Sequence, residues 1–526
     1  MTQRAVFYYI SVIGLVLVCV VGAAVPWVFW LLIPVAIYIA LGLYDIHLSR
    51  INVLANYPVI GHLRYMFEFI RPEIQQYFIN TNLSGRPFNR EQRELVYHRA
   101  QHSLDTLPFG TQQDIYDIGY ESTVHSLSPK KLGEEDGRTT VGGPDCKHPY
   151  NASRLNISAM SFGALSPNAI MAMNRGAKLG GFAHNTGEGG LSPYHLEHGG
   201  DIIWQIGTGY FGCRTADGGF DPEQFRKKAA LDVVKMIEIK LSQGAKPSHG
   251  GILPAAKISR EISEIRGVPR GQDCVSPPAH TQFGTPKALL EFVARLRELS
   301  GGKPVGFKLC IGVKSEFMSI CKAMVETGIT PDFITVDGAE GGTGAAPVEF
   351  TDYMGLPINE GLAFVHSCLV GVNLRQKIHV IASGKVANGF DMVTKLSLGA
   401  DMCNAARAFM FSVGCIQALR CNDNSCPTGV ATQDPNRARA VDVPTKSVWV
   451  KNFHNATVES FLDICGAMGI DHPDALGPGH IFRRVENETM KTYGEIYPYL
   501  QPGELLGEEI SPVYAAEWAR ASASAF

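Results

Sequence analysis

No long run of basic or acidic side chains occurs in this 526-residue chain, and Lys plus Arg (47) nearly balances Asp plus Glu (50), for a formal charge of -3. That excludes the clustered basic face by which a protein recognises nucleic acid. Also missing is a G-x-G-x-x-G between a strand and a helix with an acidic residue beyond it. No dinucleotide fold and no built-in nicotinamide site is therefore expected. Paired C-x2-C motifs are absent too, and most of the twelve cysteines stand alone. In a large cytoplasmic chain such scattered thiols are small buried apolar residues, and disulfides are disfavoured.

Charge is wholly absent from Ala5 to Leu43. Pro26 and Trp27 divide this stretch into two apolar segments, each near the roughly 20 residues that cross a bilayer as a helix. The reading is a transmembrane hairpin over 1–45. Arg4 before it and Arg50, Arg64 and Arg71 after it put both ends in the cytoplasm, giving a multi-pass inner-membrane protein whose catalytic domain is cytoplasmic. A cleaved signal peptide is the rival, from the basic start "MTQR" and the small residues of "VVGAAV". A second apolar segment following at once argues against it.

Glycine is plentiful, at 55 residues, and gathers in runs such as "NTGEGG" and "AEGGTG" where backbone can approach a ligand closely. A phosphate-bearing cofactor is the expectation. Residues 46–150 are a mixed extension that carries no recognisable chemistry. From about 154, eight short apolar runs follow: "RLNISAM", "GFAHNT", "IIWQIG", "MIEIKL", "VGFKLC", "DFITVDG", "HVIASG" and "DMCNAAR". Helical stretches lie between them, including 286–300, 314–328 and 389–400. Strand-then-helix units in series predict an α/β fold, a (β/α)8 barrel over 151–440, with a helical extension over 441–526. An open doubly wound sheet is the alternative.

Barrel chemistry sits where strands end. The polar loops obey that rule, and those after strands seven and eight, "SGKVANG" and "AARAF" with Arg407, suit the phosphate of flavin mononucleotide. Just past strand eight come Cys415, Cys421 and Cys426, spaced C-x5-C-x4-C and followed by Pro427. Thiolates with a trailing proline suit an iron–sulfur cluster, whereas zinc would require a fourth ligand nearby. Spacing alone leaves three buried thiols as the alternative.

"RCNDNSCPTGVATQDP" and "GCIQAL" resemble the iron–sulfur motif of glutamate synthases, and "NTGEGG", "QGAKPSHGG", "SPPAH" and "GGTGAAP" resemble that family's synthase domain in the same order, over roughly residues 150–490. The resemblance implies FMN, a [3Fe-4S] cluster on the three cysteines, and reductive amination of 2-oxoglutarate by ammonia to glutamate. It implies Glu188 and Lys246 as catalytic, and Gln243 and Arg266 as substrate-binding. Cofactor contacts are expected from Ser161, Asn185, Gln205, Lys240, Lys308, Gly341, Gly342, Thr343, Gly384 and Arg407. Two features depart from the family. His249 stands where a Glu is common, and the chain opens on "MTQR" instead of a glutaminase domain with an N-terminal Cys. Ammonia is then expected free or from a separate glutaminase, and electrons from a ferredoxin or a reductase subunit. Two other readings stay open: a related enzyme acting on another amine, of methylamine–glutamate type, and a membrane-tethered electron-transfer module. A clamp of Gln243, Lys246 and Arg266 argues against the module, because electron transfer needs no carboxylate site.

Overall fold

The computed structural model describes residues 2–526. The chain divides into two compact units, one ending at Arg86 and one running from Pro87 to Phe526. The extension expected over 46–150 falls across that division.

The first unit opens with α1 (Gln3–Ala24), a tight turn (Pro26–Leu31) and α2 (Leu32–His47). Pro26 starts the turn, because its ring fixes the backbone and removes a helical donor. By length and composition, Gln3–Ala24 and Pro26–His47 are each apolar enough to cross a membrane. α1 and α2 pack on each other, with Phe7 and Tyr38 in ring contact at 5.4 Å. Two further helices follow, α3 (Asn52–Asn56) and α4 (His62–Ile74), the latter running on as a wider turn to Ile79.

In the second unit, eight parallel strands close into a barrel in sequence order: β1 (Leu155–Ile157), β2 (Ala183–Asn185), β3 (Asp201–Ile206), β4 (Val234–Lys240), β5 (Val305–Leu309), β6 (Phe333–Asp337), β7 (His379–Ser383) and β8 (Met402–Ala405). Six fall within the apolar runs of the sequence, and β3 and β4 begin one and two residues ahead of theirs. The helices expected at 286–300, 314–328 and 389–400 are Pro286–Leu299, Lys314–Thr327 and Gly389–Ser397.

The region after 440 is differently built from the appended helices expected there. Its helix Val443–Ala467 packs against Pro167–Gly180 and Gly389–Ser397, the helices that follow β1 and β7, and so completes the outer ring. His454 from this helix stacks on Phe182 at 3.9 Å and hydrogen-bonds Ser153 Oγ at 2.8 Å. The cysteine-bearing loop separates β8 from this helix in sequence, which makes the helix read as an extension. Beyond it, strands Ile481–Glu486 and Thr489–Thr492 form an antiparallel sheet with Glu121–Thr123.

Alternate residues of each strand face the lumen. At the amino-terminal end they are apolar: Ala183, Ile203, Met236, Phe333, Ile381 and Met402 cluster with Val141, Tyr150 and Ala152 of the hairpin Arg138–Val141/Tyr150–Ser153. One step up the strands the facing residues turn polar, with Asn185, Gln205, Glu238 and Thr335. The apolar layer supports a site; it is not one.

Asp332, at the foot of β6, is fully buried. Its carboxylate accepts from Val305 N at 2.7 Å, Gly143 N at 2.7 Å and Arg297 Nε at 3.0 Å, joining β5, the hairpin loop and the helix Pro286–Leu299. Arg297→Met should lower unfolding stability by about 3–5 kcal/mol, because it leaves a buried carboxylate without its cation. Urea unfolding checks this, and a loss below about 1 kcal/mol would refute the assignment.

Candidate functional site

The loops that leave the carboxyl ends of β2 and β4 face one another across a cleft lined by Glu188, Lys240, Gln243, Lys246 and His249. All five stand out in the sequence, four as site residues and His249 as the departure, and the fold brings them from two loops and one strand end to a single place. Lys240, the last residue of β4, donates to Glu188 Oε1 at 2.7 Å. Glu188 is seated between Gly207 and Gly251, where an added Cβ would come within 2.7 and 2.6 Å of its side chain. Only glycine admits the carboxylate there. Burial pushes the Glu188 carboxyl up, but Lys240, Lys246 and Arg266 together outweigh it and hold the group below the usual carboxylate range.

Lys246 is almost wholly buried, and its Nζ donates to Gly250 O at 2.8 Å. Burial pushes its ammonium down to about 8, with Glu188 opposing the shift. His249 donates from its backbone to Lys246 O, and its ring stands edge-on to Phe350 at 5.1 Å. The loop is anchored from the far side of the mouth: Gly244 N donates to Asp337 Oδ2 at 2.7 Å. A Cβ on Gly244 would lie 1.6 Å from Gly338 O, so the β4 and β6 loops touch backbone to backbone.

Arg266 lies under this cleft rather than along its wall. Its Nη2 donates to Phe162 O at 3.1 Å and reaches Ser161 Oγ at 3.5 Å, and its guanidinium covers the Phe211 ring at 5.1 Å. Nε is buried without a partner among the described residues. Asn185 and Gln205, expected at a cofactor, both turn their amides to Glu238 Oε1, at 2.8 and 2.7 Å. Lys308 faces Asp337 at 3.4 Å. Gly384 packs beside Gly338, while Gly342 and Thr343 are exposed in the loop after β6. Arg407 crosses that loop, donating to Glu340 O and covering the Phe88 ring at 4.8 Å.

Glu238, Thr335, Asp337, His280 and Lys257 were not singled out from the sequence. His280 bridges Tyr210 Oη (3.0 Å) and Lys240 O (2.9 Å), fixing the strand end that presents Lys240. "MIEIKL" did carry the signal for Glu238: two charges two residues apart in an apolar strand must share the inward face.

A flavin fits the mouth by the donors and acceptors it offers. Lys240 and Lys308 supply cations, and Asn404 Oδ1 at the end of β8 is a buried acceptor without a partner among the described residues. Among the described residues no group of three or more metal-binding side chains is drawn into a cage. Even so, Cys415, Cys421 and Cys426 lie close enough for their charges to interact, and burial pushes the Cys415 thiol up to about 12 and raises that of Cys421. Cys415 Sγ accepts from Gln417 N at 3.4 Å, and hydrogen bonds from Thr428, Val430 and Ala431 outweigh burial to hold the Cys426 thiol below its usual range. Buried Lys257 donates to the carbonyls of Cys421 (2.6 Å), Ala431 (3.1 Å) and Ala164 (3.3 Å), tying the cysteine loop to the loop after β1. A Cβ on Gly344 would meet Cys421 O at 2.9 Å, so the β6 loop also touches the cysteine loop.

The family profile described as the conserved region in glutamate synthase matches residues 121–471. The glutamate synthase large subunit-like protein YerD of Bacillus subtilis (strain 168) is 36% identical over 495 residues, which cover 86% of this chain and 94% of that one. The archaeal NADPH glutamate synthase of Methanocaldococcus jannaschii is 34% identical over 360 residues, covering 68% of this chain and 66% of its own length. The archaeal-type NADPH enzyme of Thermotoga neapolitana is 33% identical over 346 residues, with 65% of each chain covered. Among solved structures, a flavocytochrome b2 variant with pyruvate bound aligns over 85% of this chain and 92% of its own at 15% identity and a TM-score of 0.43. That likeness is too distant to add to the barrel topology.

Because Lys246 titrates near 8, its acylation by acetic anhydride, followed by peptide mass spectrometry, should rise with a midpoint near pH 8 rather than above 10. In Glu188→Gln the midpoint should fall further, since the anion that favours the ammonium is gone. An unchanged midpoint would show that the two groups do not interact.

Proposed function

Since this chain belongs to the glutamate synthase family, we propose that its barrel is an FMN-dependent reductive aminase that makes glutamate from 2-oxoglutarate and ammonia, with electrons entering through a [3Fe-4S] cluster on Cys415, Cys421 and Cys426. The observation that carries this reading is the cleft itself, where the Glu188 carboxylate, held ionised by Lys240, buried Lys246 and Arg266, shares the lining with the Gln243 amide. Bound at the mouth, FMN would supply hydride chemistry, and the cluster would supply single-electron exchange with an external donor.

This chain's own side chains do the remaining work. Lys246 and Gln243 bind and orient an oxo acid through its carboxylates, the lysine by charge and the amide by hydrogen bonding. Arg266 adds positive potential from beneath. Glu188, ionised at neutral pH, takes the proton from ammonium so that free ammonia can add to the keto carbon. The protonated carboxyl then returns that proton to the departing hydroxyl as water leaves and the iminium forms. Lys240 keeps Glu188 in place and favours its ionised form. Lys308, Arg407, Gly341, Gly342, Thr343, Gly384 and Ser161 would hold the flavin from the strand ends. Electrons come from a ferredoxin or a reductase subunit, and ammonia free or from a separate glutaminase. α1 and α2 anchor the chain in the inner membrane with the barrel in the cytoplasm.

The test is anaerobic. With the full chain reduced by dithionite in detergent, flavin reoxidation should require both 2-oxoglutarate and ammonium and should yield glutamate. A flavin that stays reduced with these but reoxidises with another amine would overturn the substrate assignment. Cys426→Ser should abolish the iron–sulfur electron paramagnetic resonance signal while the flavin spectrum remains, and a retained signal would remove Cys426 from the ligand set.

A further inference from the structure

After the apolar hairpin, the largest concentration of exposed apolar side chains lies on residues 62–79. α4 buries none of its side chains. Leu63 (46%), Met66 (47%) and Phe67 (57%) are exposed, and the turn that extends the helix presents Tyr77, Phe78 (84%) and Ile79. At 100° per residue, Leu63, Met66, Phe67, Ile70 and Ile74 form one apolar face. Arg64, Glu68 and Arg71 form a charged stripe along one edge of that face, with Arg64 and Glu68 paired at 3.0 Å, and Glu73 stands at the other edge. Arg64, Arg71, Phe67 and Ile74 line a shallow groove with Glu68. An all-round apolar helix would be a third span, but this charged stripe forbids immersion across a bilayer.

Two contacts set the level at which α4 begins. Asp45, in the last turn of α2 and fully buried, accepts from His62 Nε2 at 2.9 Å and from Val59 N at 2.9 Å, so the first residue of α4 is pinned to the end of α2. Arg4, at the start of α1, donates to Ala55 O at 2.6 Å and Asn56 Oδ1 at 3.3 Å. The open end of the hairpin and the start of α4 therefore lie together, where the chain changes from apolar to charged. A helix that starts at that boundary, with an apolar arc, a narrow charged stripe and several aromatic side chains, matches a segment lying in a membrane surface.

We propose that residues 62–79 lie flat in the cytoplasmic face of the bilayer crossed by the hairpin, with the apolar arc among acyl chains and Arg64 and Arg71 at lipid phosphates. The occupant of this face is a phospholipid leaflet. This inference rests on the reading of α1 and α2 as spans.

Photo-crosslinking on the full-length protein in its native membrane tests both and separates them. Benzoylphenylalanine is installed singly at Val16 in α1, at Phe67 on the apolar arc, at Phe78 in the turn that extends α4, and at Glu68 on the stripe, and adducts are identified by mass spectrometry. Phospholipid adducts at positions 16, 67 and 78, with at least fivefold fewer at 68, are expected. Adducts at 16 but none at 67 and 78 would overturn the proposal and leave the hairpin reading standing. Cross-links between two copies through 67 would overturn it in favour of a dimer face. No lipid adduct at 16 would remove the hairpin reading, and the proposal with it.

Discussion

A carboxylate inside a closed barrel has no water to solvate it, and the arrangement of this site follows from that constraint. Glu238 projects into the lumen and is 1% exposed. Asn185 from β2, Gln205 from β3 and Thr335 from β6 turn to it and satisfy both oxygens. The bonds from Asn185 and Thr335 reach β4 from strands that are not its neighbours, and that from Gln205 comes from the adjacent β3. Burying an anion without such donors would cost several kcal/mol. Two residues further along β4 the same face delivers Lys240 to the rim, where a second carboxylate, Glu188, needs a cation for the same reason. The polar layer thus forms the floor of the cleft and positions the lysine that rises from it.

The rim is held by contacts between loops rather than by strands. Gly244 meets Gly338 backbone to backbone, Arg407 bonds Glu340 O in the β6 loop, and Gly344 of that loop abuts Cys421. Lys257 joins the cysteine loop to the loop after β1 through three carbonyls. The cleft, the loops after β1 and β6 and the cysteine loop form one connected layer, in which the cysteine loop touches the β6 loop directly. That layer sits on the carboxyl ends of the strands, the face on which barrels carry their chemistry.

The outer ring shows how an insertion hides an element. Between β8 and its packed helix lies the loop that carries Cys415, Cys421 and Cys426, so the helix Val443–Ala467 follows some forty residues after the strand it completes. Its ring neighbours and the stacking of His454 on Phe182 show its place in the barrel. Sequence distance had put it outside.

Period and composition by themselves determined the eight strands and the helices between them, because inward and outward faces alternate along the strands and most strand ends are marked by Gly, Ser or Asn, while an open sheet stayed possible until the structure showed the barrel closed. They also determined that "NTGEGG", "QGAKPSHGG" and the three cysteines lie in loops at the chemical end, and that the first forty-odd residues are two apolar helices. Only the tertiary structure decided partners. Lys240 faces Glu188, Asn185 and Gln205 turn to Glu238, Arg266 lies beneath the cleft, and Lys257 holds the cysteine loop. A buried charge or amide takes its partner from whichever strand or loop lies opposite in space. The pairs here span up to 174 residues of sequence, and no local pattern records them.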